Sequence, residues 1–274
     1  MVNTTPLSQE IEERLNTRWL GQTLHFYQQL DSTNLTAMEL AEEGAAEGTA
    51  VLAEEQLRGR GRGNRSWHSP PGVGIYCSII LRPRLSPAKA QIITLMTAVA
   101  IVKAIAQETS VSARIKWPND ILLNGRKIAG ILLEGKVGSK RVEHAVIGFG
   151  INVNQTSADL PPEPMFEASS LRIELGKPVG RSALVAGIFG ELEGLYERVQ
   201  QGDLATILEQ WRRLSTTLAR PIRVWQRGKV TEGIAVDITA EGGLVVRVKD
   251  ESLRVIHAGD VEHLRLAVEV EDGG

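Results

Sequence analysis

The sequence predicts an α/β (α+β) fold in two parts, a large domain over residues 1–217 and a small β-barrel domain over residues 218–274. Three observations carry this. Strand-length apolar runs alternate with helical runs up to about residue 217. The helix expected from Pro87 to about Gln107 is so rich in Ile, Leu, Met and Val that it must be buried against a sheet. From Pro221 onward the texture changes to short alternating strands.

Residues 6–18 read as a short helix and Thr23–Tyr27 as a strand leading into Asp31-Ser32-Thr33-Asn34. These are helix N-cap types, and Leu35, Met38, Leu40 and Ala41 follow at helical spacing until Gly44. Capping accounts for such a cluster; so does the presentation of hydroxyl and amide groups to a small polar ligand. Thr49–Glu54 and Gly74–Leu81 are the next strands. Ser86-Pro87 opens the long helix with serine at the cap and proline at the first position. Its apolar run Ile92–Ala106 is interrupted by Thr94, Thr97 and Lys103 and reads as a core helix too short to span a bilayer.

Three strands follow, Val111–Trp117, Arg126–Glu134 and Glu143–Val153, with Lys116 ending the first and Pro118-Asn119-Asp120 making a turn. Gly148 and Gly150 weaken the third, so a bulge or a close ligand approach is expected there. Gln155–Ser169, with Pro161, Pro162 and Pro164, is a loop; Gly180–Gln201 and Asp203–Thr217 are helices. The small domain reads as strands Ile222–Trp225, Gly233–Ile238, Leu244–Val248, Leu253–His257 and Val261–Leu266, with a hairpin signal at Gly242-Gly243.

Composition narrows the function. A formal charge of −2 and a pI near 6.3 argue against a surface built throughout to grip nucleic acid. The single cysteine, Cys77, makes no internal disulfide and sits in an apolar run, which suggests an inert buried thiol in a reducing compartment. The polar start Met1–Asn16 lacks the pattern of a signal peptide, so a cytoplasmic location is expected, with no membrane partner. The five histidines are scattered, and neither His-x-x-x-His nor Cys-x-x-Cys occurs, so no metal ligands are named. A Gly-Lys-Ser/Thr phosphate loop and a Gly-x-Ser-x-Gly elbow are also missing. Catalysis by cations and backbone groups remains.

The stretch Gln56–Trp67 holds four arginines and three glycines in twelve residues. It has no apolar face to bury, and alternate glycines disfavour a helix or strand, so a mobile surface loop is expected. Guanidinium forks and close-approaching backbone N–H groups suit it to close over phosphate or carboxylate. A solvated basic turn and an RNA-binding arginine-glycine segment are the other readings.

Five ordered motifs then resemble those of the biotin protein ligases: Ser32-Thr33-Asn34; Gln56 with Gly59-Arg60-Gly61-Arg62 through Trp67; Lys116-Trp117-Pro118-Asn119-Asp120; Lys127–Glu134; and Gly148-Phe149-Gly150-Ile151-Asn152. The resemblance covers about residues 25–265. It implies a mixed β-sheet flanked by helices, related to class II aminoacyl-tRNA synthetase cores, and an SH3-like barrel. It further implies a ligase forming a carbon–nitrogen bond, with ATP, biotin and Mg²⁺ as cofactors. Biotinyl-5′-AMP is made first, and biotin then passes to a lysine of a biotin carboxyl carrier protein. A homodimer is admitted.

By the same carry-over, Lys116 and Arg62 are catalytic, with Lys116 bridging carboxylate and α-phosphate. Ser32, Thr33 and Gln56 would hydrogen-bond the ureido ring, Arg60, Gly61 and Arg62 would close on the carboxyl and phosphate, and Asn34 and Gly59 belong to the same cofactor-binding set. Trp67 would anchor the flap's exit, Tyr76 would lie in the biotin pocket, Gly135 would be a biotin contact and Asn152 would face the nucleotide. Phe166 would stack on adenine. With about 25 residues ahead of the core, no DNA-binding repressor domain is expected. The rivals are a lipoate or octanoate ligase or transferase of the same fold, and a nucleic-acid-binding module.

Overall fold

In the computed structural model, residues 6–63, 65–161, 167–226 and 228–264 are described. Helix α1 (Pro6–Arg14) precedes β1 (Leu24–Leu30), which runs through α2 (Thr33–Glu42) into β2 (Ala50–Gln56), and β1 and β2 pair in parallel. That crossover makes the sheet mixed. All its other pairings are antiparallel, through β3 (Gly74–Leu81), β4 (Arg114–Lys116), β5 (Asp120–Leu123), β6 (Arg126–Val137) and β7 (Val142–Asn152). The seven strands lie in the order β1-β2-β3-β7-β6-β5-β4.

Alternation along the strands divides the sheet into two unlike faces. Ile75, Cys77 and Ile79 of β3, with Ile147, Phe149 and Ile151 of β7, join a core with helix α3 (Gln91–Thr109) and helix α5 (Arg181–Gln200). Val51, Ile80 and Val146 instead pack on Ala37 and Ala41 of α2. The first face is the hydrophobic core. The second carries the small and polar residues, and the site forms there. Cys77 is wholly buried and its thiol is pushed up by that burial, as an inert core cysteine should be.

Helix α3 and the 3₁₀ turn before it are, by length and apolarity, able to cross a membrane, against the expectation of too short a span. Its burial shows where that surface goes: thirteen of its nineteen residues are buried. Short helix α4 (Leu171–Leu175) lies where the sequence suggested no element, and α6 (Leu204–Leu214) is capped as expected, Asp203 accepting from the Thr206 N–H.

The small domain is an antiparallel sheet of β8 (Pro221–Gln226), β9 (Lys229–Ile238), β10 (Leu244–Arg247), β11 (Leu253–Ile256) and β12 (Asp260–His263), in the order β11-β10-β9-β8-β12. The small antiparallel sheet expected here is present, and among the described residues no strand pairing joins β11 to β12. Its seam with the large domain is specific. The buried Trp117 indole donates to the Gly242 carbonyl at 3.1 Å, and the Trp117 N–H donates at 2.9 Å to Oγ1 of Thr217, the last residue before the small domain.

Candidate active site

Where β3, β7 and β6 pass beneath α2, their α2-facing residues are Ser78, Gly148, Gly150, Asn152, Gly130 and Leu132, aligned by the pairs Ser78↔Gly148, Leu132↔Gly148 and Gly130↔Gly150. Missing side chains leave a cleft of about 450 Å³. One end is neutral and polar. The other is cationic.

At the polar end Ser32 stands at the N-cap position of α2, 2% exposed, with extended backbone and no capping hydrogen bond from its side chain. Capping therefore does not employ this hydroxyl, which lines the cleft. The Thr33 N–H and hydroxyl both donate to Gln56 Oε1, at 2.9 and 3.1 Å, and Gln56 Nε2 donates to Ser69 Oγ at 2.9 Å. Asn34 lies on Gly148, where a Cβ would come within 1.8 Å of its amide oxygen. Its Nδ2 donates to Glu134 Oε2 at 3.0 Å, and Ser78 Oγ donates to its Oδ1 at 2.6 Å.

The arginine-glycine loop, expected as a mobile surface loop able to close over an anion, is folded across the cleft. Its legs pair through the Trp67 N–H on the Gly59 carbonyl at 2.8 Å and the Gly61 N–H on the Arg65 carbonyl at 2.8 Å. A Cβ on Gly59 would lie 2.3 Å from the Trp67 carbonyl oxygen, so the pairing needs glycine. Each arginine then finds its own acceptor. Arg58 meets Asp31; Arg60 Nη2 lies 2.9 Å from Glu134 Oε1; Arg62 Nη1 donates to Asn119 Oδ1 at 3.3 Å and the Gly259 carbonyl at 3.2 Å; Arg65 Nη2 lies 2.7 Å from Asp260 Oδ1. Burial lowers the Arg62 guanidinium from its ordinary value, opposed by the carboxylate of Asp260.

The loop ends on Trp67, whose indole packs against the Gly130–Gly150 pair. A Cβ on Gly150 would be 2.2 Å from Trp67 Nε1, and one on Gly130 would be 2.9 Å from the ring. This is the close approach the strand glycines called for, and the approaching group belongs to the chain itself. Lys127 Nζ stands 5.5 Å from the ring centroid and 2.5 Å from Asp120 Oδ1.

Lys116, 9% exposed, closes the cationic end. Its register partner across the β4–β5 hairpin is Asp120. Burial lowers its ammonium from the ordinary lysine value; Asp120 opposes that shift and Lys127 adds to it. A desolvated ammonium beside a second cation gains by meeting an anion, which is the electrostatic state of an anion-binding site.

The cleft brings together Ser32, Thr33, Asn34, Gln56, Arg60, Gly61, Arg62, Trp67, Lys116 and Asn152. Three expected residues stand elsewhere. Gly59 serves the loop backbone. Tyr76 shares the α2-facing side of β3, but its ring leans back over Gly74 and its hydroxyl donates to the Pro70 carbonyl at 2.9 Å, so it stands outside the residues that line the cleft. Gly135 lies farther along β6, where a Cβ would meet the His144 carbonyl oxygen at 2.3 Å; its missing side chain serves the β6–β7 pairing. Phe166 lies outside the described residues. Glu134, Lys127, Asp120, Gln155 and Asp260 join the site without having been singled out. Lys127 and Glu134 end one of the quoted motifs and Asp120 ends another; nothing local marks Asp260.

Similarity to known proteins agrees with this geometry. Residues 26–152 match the biotin/lipoate A/B protein ligase family and residues 217–264 match the biotin protein ligase C-terminal domain. The bifunctional ligase/repressor BirA of Bacillus subtilis is 37% identical over 253 residues, covering 92% of this chain and 78% of that protein. The biotin acetyl-CoA-carboxylase ligase of Paracoccus denitrificans is 31% identical over 220 residues, 79% of this chain and 91% of that one. The fold superimposes on the biotin protein ligase of Aquifex aeolicus, solved with biotin and ATP, with a TM-score of 0.77 over 89% of this chain and 100% of that one, at 24% identity. The chain belongs to the biotin protein ligase family.

Proposed function

We propose that the protein is an ATP-dependent biotin protein ligase. Biotin and ATP form biotinyl-5′-adenylate and pyrophosphate, and the biotinyl group then passes to one lysine of a biotin carboxyl carrier protein. The observation that carries the reading is the polarity of a single cleft, with the Ser32–Asn34 and Gln56 cluster at one end and Lys116 and Arg62 at the other. Biotin has a matching polarity, a ureido ring joined by an apolar chain to a carboxylate.

With the ring against Ser32, Thr33 and Gln56, the carboxylate reaches the cationic end. There its oxygen attacks the α-phosphorus of ATP as the bond to the pyrophosphate oxygen breaks. Lys116 and Arg62 neutralise the charge that gathers on the phosphoryl oxygens. In the second step the neutral carrier amine attacks the carbonyl carbon, AMP leaves and the amine proton is lost to solvent. The same ammonium steadies the carbonyl oxygen. The loop shields the mixed anhydride from water, and Asn152 faces the nucleotide. Mg²⁺ would be held mainly by phosphate oxygens and water, since Asp120 and Asp260 are engaged by Lys127 and Arg65.

The test is incorporation of labelled biotin into an isolated carboxyl carrier domain with Mg-ATP, with lipoate as competitor and pyrophosphate release followed in parallel. Biotin is expected on the carrier and lipoate is not; Lys116→Ala should lose about 10²-fold or more in both half-reactions. Lipoate transfer would replace the reading with the related ligase activity, and an unchanged adenylation rate would remove Lys116 from the chemistry.

A further inference from the structure

Glu174, on short helix α4, stands outside the residues that line the cleft, yet it fastens a segment that reaches the rim. Its side chain is 2% exposed, and donors from two other segments converge on it. Arg126 Nη2 lies 2.7 Å from Oε1, the Ser169 hydroxyl donates to the same oxygen, and Asn124 Nδ2 donates to Oε2 at 2.8 Å. Burial acts to raise the carboxyl. The bonds from Ser169 and Asn124 and the charge of Arg126 outweigh it and hold the group below its ordinary value, so it stays ionised. Asn124 and Arg126 belong to the β5–β6 hairpin, and Glu167–Ser169 runs beside the start of β6. There the Lys127 N–H donates to the Glu167 carbonyl at 2.8 Å and the Ser169 N–H to the Lys127 carbonyl at 2.9 Å. The wholly buried Ser169 then accepts Asn152 Nδ2 on its own carbonyl at 2.9 Å. That bond sets which way the Asn152 amide faces. Its Oδ1 meets Gln155 Nε2 at 3.3 Å and keeps a second lone pair, and Asn152 lines the cleft.

We propose that Glu174 is a positioning residue for the nucleotide: through Ser169 it holds the Asn152 amide with its oxygen presented to a donor on the nucleoside, the amino group of the base or the 2′-hydroxyl of the ribose. This rests on the ligase reading, in which Asn152 faces ATP. Without the carboxylate, the Ser169 hydroxyl loses its acceptor and the Ser169 carbonyl is free to shift. An Asn152 amide released from that carbonyl turns its nitrogen toward the cleft as readily as its oxygen. A donor on the nucleoside then meets another donor, and nucleotide binding weakens. Biotin is untouched, because the cluster that takes its ring is built from Ser32 and Thr33 at the start of α2 and from Gln56 at the end of β2.

The experiment follows pyrophosphate release by the full chain with biotin, a carboxyl carrier domain and Mg-ATP, then with inosine triphosphate or 2′-deoxy-ATP in place of ATP, beside calorimetric titration of biotin. The first analogue lacks the amino group of the base and the second lacks the 2′-hydroxyl. In the wild type one of the two should lose about tenfold in kcat/KM, the scale of one hydrogen bond. Glu174→Gln keeps the volume and removes the charge. It should raise KM for ATP about tenfold with kcat and biotin affinity unchanged, and the penalty on that analogue should vanish. Ser169→Ala leaves the carbonyl in place and removes only the hydroxyl that Glu174 holds; it should do the same, and the double variant no more than either alone. A wild type that treats both analogues as ATP, or a Glu174→Gln variant with full discrimination, would overturn the proposal. A parallel fall in biotin affinity would also overturn it, reducing Glu174 to a structural residue. A wild type that releases no pyrophosphate with any of the three nucleotides would overturn the ligase reading itself.

Discussion

At the scale of single residues, the strand glycines are chemistry made possible by absence. Gly130 and Gly150 are cross-strand partners, and the Trp67 indole lies where their side chains would be. Gly150→Ala puts a Cβ 2.2 Å from Trp67 Nε1, a contact a wedged indole cannot absorb without leaving its floor. Overpacking of this kind costs roughly 1–3 kcal/mol, and adenylate synthesis should fall with it because the loop exit is displaced. Calorimetric melting and single-turnover adenylation check this, and the decisive comparison is the same substitution beside Trp67→Ala. There the added methyl meets nothing rigid and should cost little more; equal cost in both backgrounds would exclude the indole as the cause. In the sequence the glycines left a bulge and a close ligand approach equally open, and the approaching group is a side chain of the chain itself. Trp67 is 83 positions from Gly150, and local pattern holds no record of such a pairing.

At the scale of elements, strands with strong alternation and clear bounds were legible and short ones were not. β3 spans Gly74–Leu81, the range expected, because every residue in it is apolar or small and buried. β5 was missed since Pro118-Asn119-Asp120 reads as a turn, although Asn124-Gly125 after it is a hairpin signal. The two residues have φ of 51° and 82°, the left-handed pair a tight hairpin turn requires. β12 reveals its consequence only in three dimensions. It carries His263 into the seam beside Thr217, with Nε2 3.3 Å from Oγ1, where burial, then Lys116 and Arg220, push the imidazole down to about 4. The folded chain therefore keeps His263 neutral while the unfolded chain, titrating near 6.5, takes up a proton first. Unfolding binds that proton, so stability falls as pH drops from about 6.5 toward 4. His263→Gln should flatten the dependence of the melting temperature on pH between about 5 and 6.5. A residual slope is expected from His144, which burial also lowers. An unchanged slope would place the titration elsewhere.

At the scale of the whole molecule, the small domain is part of the site. Arg65 bridges the two domains: its Nη2 lies 2.7 Å from Asp260 Oδ1 on β12 and its Nε donates to the Arg62 carbonyl at 3.0 Å, while Arg62 reaches the Gly259 carbonyl. The loop over the cleft is thus held from the C-terminal sheet, across a sequence separation of 195 residues. Both partners are partly exposed, so the direct attraction is modest, about 0.2–1 kcal/mol, and weakens with salt. Its leverage is positional, because the loop it holds is the one proposed to shield the intermediate. Asp260→Arg sets like charges against each other and should release biotinyl-adenylate several-fold faster, about two- to tenfold by that energy scale and the added repulsion. Arg65→Asp should do the same, and the exchanged pair Arg65→Asp with Asp260→Arg should recover most of the retention. Release is followed by trapping labelled adenylate on the protein and timing its escape, at low and high salt. Because swapping the charges restores the ion pair but no other feature of either residue, recovery attributes the effect to the bridge. If the exchanged pair leaks as fast as the single variants, the small domain holds the loop by some other contact, and the Arg62 bond to the Gly259 carbonyl is the next to test.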